Sequence, residues 1–261
     1  MAKIIAVTNQ KGGVGKTTSC VNLAASLAFA KKKVLLIDLD PQGNATMGSG
    51  VNKNALKTDI ADVLLGDESE IDYSGIVKVE AGYDLFPSNI NLASAEVQLL
   101  EKDKREFILK NILAPLKKKY DIIIIDCPPS LNMLTVNALV AADGVIIPIQ
   151  CEYYALEGLA SLIKTIDSIK KSANPKLEIS GLLRTMYDPR NRLTTEVSAQ
   201  LIEHFGNKVL HTVIPRNVRL AEAPSFGQNI LEYDKYSKGA AAYLALASEV
   251  LSKQEEVESV A

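Results

Sequence analysis

A glycine-rich segment near the start of the chain, residues 10–18, reads QKGGVGKTT and lies between an apolar run at 4–7 and a helix-like stretch at 19–30. Glycines let consecutive backbone N–H groups converge on a polyphosphate, and the N-terminus of the following helix adds partial positive charge. Lys16 and Thr17 can reach the β- and γ-phosphates and Mg²⁺. The pattern predicts a nucleoside triphosphate site. Its residues are Lys11, Gly12, Gly13, Val14, Gly15, Lys16, Thr17 and Thr18.

Gln10 distinguishes this segment from the usual P-loop pattern, GxxxxGK[ST], in which that position is glycine. Next to it, Lys11 supplies a second ammonium beside the loop. Because Lys16 already serves the bound phosphates, a second lysine is more useful against charge that develops elsewhere, including on a nucleotide held by a second subunit. The alternative is a glycine-rich turn with solvated lysines, which the strand-loop-helix context disfavours.

Two aspartates end the next apolar run, in residues 34–44, which read VLLIDLDPQGN. Asp38 and Asp40 follow the apolar residues, and Pro41 and Gly43 halt the strand. Carboxylates at that position would face the phosphates, where one can help to hold the Mg²⁺ shell and the other can orient water for in-line attack on the γ-phosphate. An Asp-Pro turn that only ends a strand is the alternative interpretation.

A third segment, residues 122–130, reads IIIIDCPPS and brings Asp126 to a strand end after four isoleucines. This has the form of a Walker B strand, whose acid reaches Mg²⁺ directly or through a bound water. Pro128 and Pro129 would stiffen a following loop that responds to the γ-phosphate, although they could also serve only to end the strand. We therefore assign Asp126 to the same site as Lys16.

Short apolar runs alternate with longer amphipathic stretches along the chain, which is typical of βα units. The runs predicted as strands are residues 4–8, 34–39, 84–86, 122–126, 145–149, 179–186 and 209–214. The stretches predicted as helices are 16–30, 58–65, 91–101, 105–119, 131–142, 152–171, 192–205 and 237–253. Continuous apolar strands suit a sheet that is buried on both faces. The expected fold is α/β, a doubly wound, largely parallel β-sheet flanked by helices, with functional groups at the carboxyl ends of its strands.

A length of 261 residues and a hydrophobic content of 47% fit one large domain, expected over residues 1–253, followed by an acidic tail at 254–261 that we expect to be disordered. Cys20, Cys127 and Cys151 form no CxxC pair and are expected to be reduced thiols. The sequence has no apolar run long enough for a signal peptide or a membrane span. These features predict a cytoplasmic protein without a membrane partner.

Two downstream segments complete the pattern: residues 186–192 read MYDPRNR and residues 214–227 read IPRNVRLAEAPSFG. Together with the three motifs above, they resemble the ParA/Soj chromosome and plasmid partition ATPases, which carry a deviant Walker A motif. The resemblance spans residues 3–251 and implies a P-loop ATPase that uses ATP and Mg²⁺ with weak intrinsic activity. It also implies a homodimer with ATP, non-specific double-stranded DNA and a ParB/Spo0J-like centromere-binding protein as partners, and a place on the nucleoid.

The resemblance also implies roles for individual residues. Lys16 would hold the β- and γ-phosphates, Asp40 the attacking water, and Lys11 the transition-state charge on the partner subunit's nucleotide. The Mg²⁺ shell would be held by Thr17, Asp38 and Asp126. Pro215 and Asn217 would border the adenine.

DNA contacts are implied for Arg190 and Arg219, and the charge of the surrounding segment gives modest independent support. The whole chain has 29 basic and 31 acidic residues, so it has no global signature of nucleic-acid binding. Residues 184–238, however, carry eight basic and six acidic residues, which would form a weakly basic face. The same segment contributes Arg192, Lys235 and Lys238 as further candidates. The alternative is a solvated face with no DNA contact.

Two rival functions belong to the wider group of deviant Walker A ATPases. A MinD-like membrane switch would carry a basic amphipathic C-terminal helix, whereas this chain ends with Glu255, Glu256 and Glu258. A redox ATPase resembling nitrogenase iron protein would need a pair of cluster-binding cysteines, and no suitable second cysteine follows Cys127. We therefore favour the partition ATPase and keep the membrane switch as the alternative.

Overall fold

A computed structural model of the chain describes residues 2–67 and 70–260, with side chains described as far as residue 255. Its centre is an eight-stranded sheet with the order β3-β4-β2-β5-β1-β6-β7-β8. Every neighbouring pair is parallel except β3 and β4, which are antiparallel. The strands are β1 (Lys3–Val7), β2 (Val34–Asp38), β3 (Val77–Lys78), β4 (Asp84–Phe86), β5 (Ile122–Asp126), β6 (Gly144–Gln150), β7 (Glu178–Tyr187) and β8 (Val209–Pro215).

Helices cover both faces of this sheet, as the isoleucines of β5 demonstrate. Ile123 and Ile125 belong to one buried hydrophobic cluster, and Ile122 and Ile124 belong to the other. Successive strand residues point to opposite faces, so a sheet covered on both sides needs an unbroken apolar run. The predicted doubly wound α/β fold is therefore confirmed. The helices are α1 (Lys16–Phe29), α2 (Asn44–Gly48), α3 (Ile60–Leu65), α4 (Asn91–Leu99), α5 (Ile108–Leu113), α6 (Met133–Ala141), α7 (Ala155–Ser172), α8 (Arg192–Phe205), α9 (Val218–Glu222), α10 (Ile230–Asp234) and α11 (Lys238–Val260).

Most predicted boundaries differ from the structure by one to three residues, and two predicted segments differ by more. The helix predicted over residues 105–119 is interrupted, because α5 lies between the 3-10 turns Arg105–Phe107 and Leu116–Lys118. Pro115 lacks the N–H that a continuing α-helix requires. At the other end of the chain, α11 continues to Val260 through the segment predicted as a disordered tail. Glutamate and glutamine are good helix formers, which accounts for the continuation.

Ala261, the last residue of that predicted tail, lies outside the described residues. The assignment of residues 1–253 to a single domain stays a prediction. Within the described ranges, no helix has the length and apolar content that crossing a bilayer would require.

The edge strand β8 is covered by a side chain from α11. Glu249 accepts hydrogen bonds from the backbone N–H groups of His211, at 2.7 Å, and Thr212, at 2.9 Å, in the edge strand β8. Burial raises the pKa of Glu249, but these hydrogen bonds outweigh it and lower the pKa below its ordinary value. The Glu249 carboxylate is thus a fixed part of the edge.

Candidate nucleotide site

The ends of three neighbouring strands meet at one level of the sheet. Val7 of β1 pairs with Asp126 of β5, and Asp126 pairs with Asp38 of β2. Because the glycine-rich loop follows β1 directly, both carboxyl groups lie beside it. Backbone contacts continue the alignment beyond the strands, since the N–H of Leu39 donates to the carbonyl of Asp126 at 3.0 Å. The structure therefore brings the three sequence motifs together.

The loop itself has the backbone conformation of an anion cradle. Gly13 and Gly15 have φ angles of 72° and 84°, in the left-handed region that favours glycine. Gly15 is the N-cap of α1 and makes no side-chain capping bond. The first N–H groups of a helix have no carbonyl partners within it, so those of α1 are available to an anion.

Two side chains outside the motif fix the loop to the sheet. Asn9 donates from Nδ2 to the carbonyl of Pro148 in β6 at 2.7 Å and accepts the N–H of Lys11 at 3.0 Å. Thr185 of β7 donates from its hydroxyl to the carbonyl of Val14 at 2.8 Å. The sequence analysis missed both residues. Asn9 lies directly before the motif and could have been suspected, whereas nothing local marks Thr185.

Lys16 points its ammonium into the site. The residue is only 7% exposed, and Nζ donates to the carbonyl of Lys11 at 3.3 Å. Burial lowers the pKa of Lys16, while Asp126 and Asp40 oppose that shift. An ammonium has three N–H donors. This arrangement gives a buried cation with donor capacity for phosphate oxygens, as the motif predicts.

Asp126 offers the feature that a Mg²⁺ site needs. The residue is fully buried; Oδ1 accepts a hydrogen bond from Sγ of Cys20 at 3.4 Å, while Oδ2 has no hydrogen-bond partner among the described residues. Burial, and then the charge of Asp38, raise the pKa of Asp126 to about 8, against the influence of Thr17 and Cys20. A buried carboxylate oxygen without a partner fits a cation when a nucleotide is present.

The described residues contain no cluster of three or more metal-ligating side chains. That suits Mg²⁺, which keeps several waters and binds through one or two protein ligands together with phosphates. Thr17 and Asp126 fit such a set. Their assignment as ligands stays a prediction.

The carboxylate of Asp38 accepts more hydrogen bonds than that of Asp126, its partner in the neighbouring strand. Oδ2 accepts hydrogen bonds from both the N–H and the hydroxyl of Thr46 at 2.7 Å, and Oδ1 accepts the N–H of Asp40 at 3.2 Å. Burial raises the pKa of Asp38 to about 6. Because both oxygens already have donors, the geometry suits a residue that supports the site and orients α2. Its predicted role as a Mg²⁺ ligand is untested, and the sequence analysis missed Thr46.

Asp40 lies in the turn after β2 and is mostly buried. Oδ1 accepts the N–H of Gln42 at 2.9 Å, and the backbone carbonyl accepts the hydroxyl of Ser88 at 2.9 Å. These contacts fix the turn close enough to Lys16 for the Asp40 charge to oppose the lowering of the lysine pKa. The predicted water-positioning role is compatible with this place and stays a prediction.

A cavity of about 420 Å³ opens beside the loop and is lined by Pro215 and Asn217 together with Gly15 and Thr18. Asn217 caps α9, because Oδ1 accepts the N–H of Leu220 at 3.3 Å. The cavity is continuous with the phosphate loop, so it suits the base of the same nucleotide. Adenine contact by Pro215 and Asn217 stays a prediction. Its other lining residues are Thr185, Met186, Ile214, Arg216, Val218, Leu220, Ala221 and Tyr243.

Lys11 takes a different direction from Lys16. Its backbone contacts the loop, but Nζ lies 2.5 Å from Oε2 of Glu152, the second residue after β6. The two side chains are 42% and 47% exposed. The sequence analysis did not identify Glu152, although an acid just past the carboxyl end of a parallel strand follows the rule that located Asp126.

The predicted DNA residues are all exposed and form two groups. Near the start of α8, Arg190 donates to both carboxylate oxygens of Asp188, at 2.9 and 2.8 Å, and Arg192 pairs with Glu196 at 2.7 Å. Around α9 to α11, Arg219 pairs with Glu222 at 3.0 Å and lies 3.6 Å from a carboxylate oxygen of Asp234. Nζ of Lys235 lies over the ring of Tyr236, and Lys238 begins α11. The groups follow β7 and β8, which are neighbours in the sheet.

The chain is similar to known proteins over almost its whole length. A family model described as "AAA domain" matches residues 2–179. The chain is similar to the sporulation initiation inhibitor protein Soj of Bacillus subtilis, with 53% identity over 250 residues that cover 96% of this chain and 98% of the relative. It is similar to the chromosome partitioning protein ParA of Caulobacter vibrioides, with 47% identity over 255 residues that cover 97% of this chain and 95% of the relative.

Among solved structures, the chain is similar to cobyrinic acid a,c-diamide synthase from Mycobacterium smegmatis with bound ATP analog and magnesium. The TM-score is 0.85 at 38% identity, and the match covers 98% of this chain and 96% of that one. Both curated relatives exceed that identity.

Proposed function

The chain belongs to the ParA/Soj family of chromosome-partitioning ATPases, and we propose that it couples ATP-dependent dimerisation to non-specific DNA binding. It is an ATPase that uses ATP and Mg²⁺, so the predicted family, activity and cofactors are confirmed. The observation that carries the proposal is the alignment of Val7, Asp38 and Asp126, which places two acids beside the phosphate loop.

Within this site, the phosphates would lie against the loop N–H groups and the Lys16 ammonium. When bound, Mg²⁺ would neutralise phosphate charge, and Thr17 and Asp126 would hold it, with Asp38 fixing the surrounding turn. Asp40 would orient the attacking water. His204 and His211 lie in α8 and β8, outside the loop and the acidic turn. We expect slow intrinsic hydrolysis, because the described residues of the loop and the acidic turn include no histidine or other strong general base.

A second copy of the chain would complete the site. Lys11 is exposed and turned away from the phosphate position of its own loop, toward Glu152. An ammonium on the surface next to the loop can reach a nucleotide on a facing subunit, in the manner of an arginine finger. We propose a nucleotide-sandwich dimer with ATP, which a ParB/Spo0J-like centromere-binding protein stimulates to hydrolyse and release.

DNA would bind at the face formed by Arg190, Arg192 and Arg219 with Lys235 and Lys238. Their acidic neighbours form exposed ion pairs, which are weak and which DNA phosphates can replace. A surface that contacts only phosphates binds without sequence preference and depends strongly on salt. Dimerisation would join two weak faces into one multivalent surface, so ATP would be required. We place the protein in the cytoplasm, on the nucleoid, where its cycle drives chromosome or plasmid segregation.

A mobility-shift experiment tests this proposal. Non-specific duplex DNA is titrated with protein in the presence of Mg²⁺ with ATP, with ADP and without nucleotide, each at two salt concentrations. The expected result is a large gain in affinity with ATP alone, together with a steep loss at the higher salt. If ATP produces no gain over the ADP and nucleotide-free samples, the coupling of nucleotide to DNA is refuted for this chain.

A further inference from the structure

The amino-terminal edge of the sheet, opposite the nucleotide site, carries a concentration of lysines. They come from the connections that precede β2 and β5 and from β3 at the sheet edge. We call this patch the lysine surface. Its members are Lys32, Lys33, Lys78, Lys117, Lys118 and Lys119.

These lysines form one continuous patch. The segment before β2 is joined to the segment before β5, because Lys33 donates its N–H to a carboxylate oxygen of Asp121 at 2.8 Å and accepts the N–H of Asp121 at 2.8 Å. Two shallow depressions of about 540 Å³ each lie on either side of Tyr120, which lines both. Lys33, Lys78 and Lys119 line the first depression. Lys32, Lys117 and Lys118 line the second.

Four acids lie near this patch, and three of them accept hydrogen bonds. Asp84 accepts a hydrogen bond from the hydroxyl of Tyr120 at 2.8 Å, and Asp121 accepts the N–H of Lys33. Asp143 accepts the N–H of Ile4 at 2.8 Å and pairs with Lys117 at 3.2 Å. The acid at the end of α11, Glu255, lines the second depression.

Several of the cations, by contrast, have no such partner. Lys33, Lys78 and Lys118 are exposed, and their side chains make no ion pair or hydrogen bond within the described part of the chain. The patch thus carries a small excess of positive charge, because its six lysines outnumber the four nearby acids, Asp84, Asp121, Asp143 and Glu255.

We propose that the lysine surface is a second contact site for the phosphates of duplex DNA. Strands β3, β4, β2 and β5 are adjacent, so the lysines at this edge spread over three strand spacings, roughly 14 Å at about 4.8 Å each. That span is comparable to the major groove of B-DNA, which is about 12 Å wide. Lysine acts as a point charge suited to phosphate. The lysines at the rim therefore favour a phosphate backbone, and competition experiments distinguish it from an acidic peptide or a bilayer.

The lysine surface differs in position from the proposed DNA face of Arg190, Arg192, Arg219, Lys235 and Lys238, which we call the arginine face. Asp126 is the last of the five residues of β5, so four residue steps separate it from the amino-terminal end of the strand, a length of roughly 13 Å at about 3.3 Å per residue. A nucleotide, or a second subunit facing it, therefore leaves the lysine surface uncovered. Weak DNA contact should be independent of nucleotide. In the proposed dimer, on which this second step rests, two lysine surfaces would remain outside, and one dimer could hold a second duplex.

The nucleotide-independent contact is tested by fluorescence anisotropy of a labelled non-specific duplex at low salt without ATP. The test variant is Lys33→Gln, Lys78→Gln and Lys118→Gln together. Removing one phosphate contact should lower the slope of log K against log[salt] by about 0.9 in magnitude. The matched control changes three other exposed lysines, Lys57→Gln, Lys110→Gln and Lys164→Gln, none of which lines either depression. Circular dichroism and basal ATPase activity should be unchanged in both variants.

The second duplex is tested by capture. Protein with ATP is loaded on an immobilised duplex, and retention of a second labelled duplex is measured. The test variant should still load on the immobilised duplex but should not retain the second one. Arg190→Ala with Arg219→Ala should instead abolish ATP-dependent loading yet keep the nucleotide-independent anisotropy signal. A failure of the lysine surface is thereby separated from a failure of the proposed function.

Three outcomes would overturn the proposal. One is an equal salt slope for the wild type and the test variant. Another is competition by polyglutamate as effective as that by duplex at equal charge, which would indicate an acidic peptide. The third is retention on vesicles of anionic lipid at the salt concentration where duplex is released, which would indicate a membrane surface.

Discussion

Nζ of Lys11 lies 2.5 Å from Oε2 of Glu152, so the motif lysine forms an ion pair within its own chain and not with its own phosphate site. Both side chains are partly exposed, and an ion pair of that kind is weak enough for a competing phosphate to replace. The structure thus shows where Lys11 is held when no second subunit faces it. Its function on a partner's nucleotide requires Lys11 to leave Glu152.

Lys11→Ala should bind ATP normally but fail to dimerise and hydrolyse it. Lys16 and the loop N–H groups still hold the phosphates, whereas the cation for the facing subunit is gone. Analytical ultracentrifugation with ATP and phosphate release measure the two defects. Glu152→Gln is the matched control, because it removes the same ion pair and keeps the lysine. Undiminished dimerisation and turnover in Lys11→Ala would exclude a role in trans.

Lys16→Ala should weaken ATP binding by at least an order of magnitude. The phosphates lose a buried cation, and a hydrogen bond to a charged group contributes about 1.5–3 kcal/mol. Calorimetric titration with ATP and Mg²⁺ measures the change directly. Lys57→Ala, which alters an exposed lysine outside the site, should bind as the wild type does. A wild-type affinity in Lys16→Ala would contradict the phosphate assignment.

Asp40→Ala should separate ATP binding from hydrolysis. The substitution removes the carboxylate that orients water, while the phosphate cradle and Lys16 remain. The variant should therefore accumulate as an ATP-bound dimer, which size-exclusion chromatography with ATP and Mg²⁺ detects. Hydrolysis at the wild-type rate would show that another residue positions the water.

The raised pKa of Asp126 predicts a pH dependence of stability in the nucleotide-free protein. Burial and Asp38 raise this pKa to about 8, well above that of the same group in an unfolded chain. The stabilisation is fully present below the unfolded pKa and is lost as pH rises through about 8, because the buried carboxyl group must then ionise. Thermal unfolding between pH 5 and pH 9 should show a falling Tm.

Asp126→Asn supplies the control for that measurement, since the amide cannot ionise. Its Tm should fall less over the same pH range, and Mg²⁺ with ATP should stabilise it less than the wild type. Identical pH profiles for the two proteins would show that Asp126 does not carry the effect.

Arg219→Ala with Arg190→Ala should abolish the ATP-dependent gain in DNA affinity and keep ATP-dependent dimerisation. The two arginines are exposed and neither lines the nucleotide cavity, so ATP binding should be retained. The slope of log K against log[salt] should fall in magnitude by about 0.9 for each lost contact between an arginine and a DNA phosphate. If the variant keeps the full slope of log K against log[salt] with ATP, then these arginines are exposed to solvent and do not contact DNA.

Buried strands and their ends could be predicted from the sequence because their signal is local. The run Ile122–Asp126 predicts both that β5 is buried and that its acid lies at the end of the strand. Because the carboxyl ends of parallel strands meet at one edge of the sheet, Asp38 and Asp126 could then be placed together. Glu152 could not be assigned in the same way, since its contact with Lys11 joins positions 141 residues apart. Short elements such as α2 were missed for a related reason. Its five residues carry too little periodicity to be recognised.

The carboxylate of Glu249 over the edge strand β8 has a consequence for assembly. An open edge strand offers backbone donors and acceptors to which a foreign strand can add, the first step of amyloid-like growth. Here the donors of His211 and Thr212 already have a partner. At the opposite edge, β3 has only two residues and runs antiparallel to its neighbour, which is too short a template. Many copies bound close together on DNA would therefore have little tendency to extend their sheets from one chain to the next. Glu249→Ala should raise the fibrillation rate that thioflavin fluorescence reports.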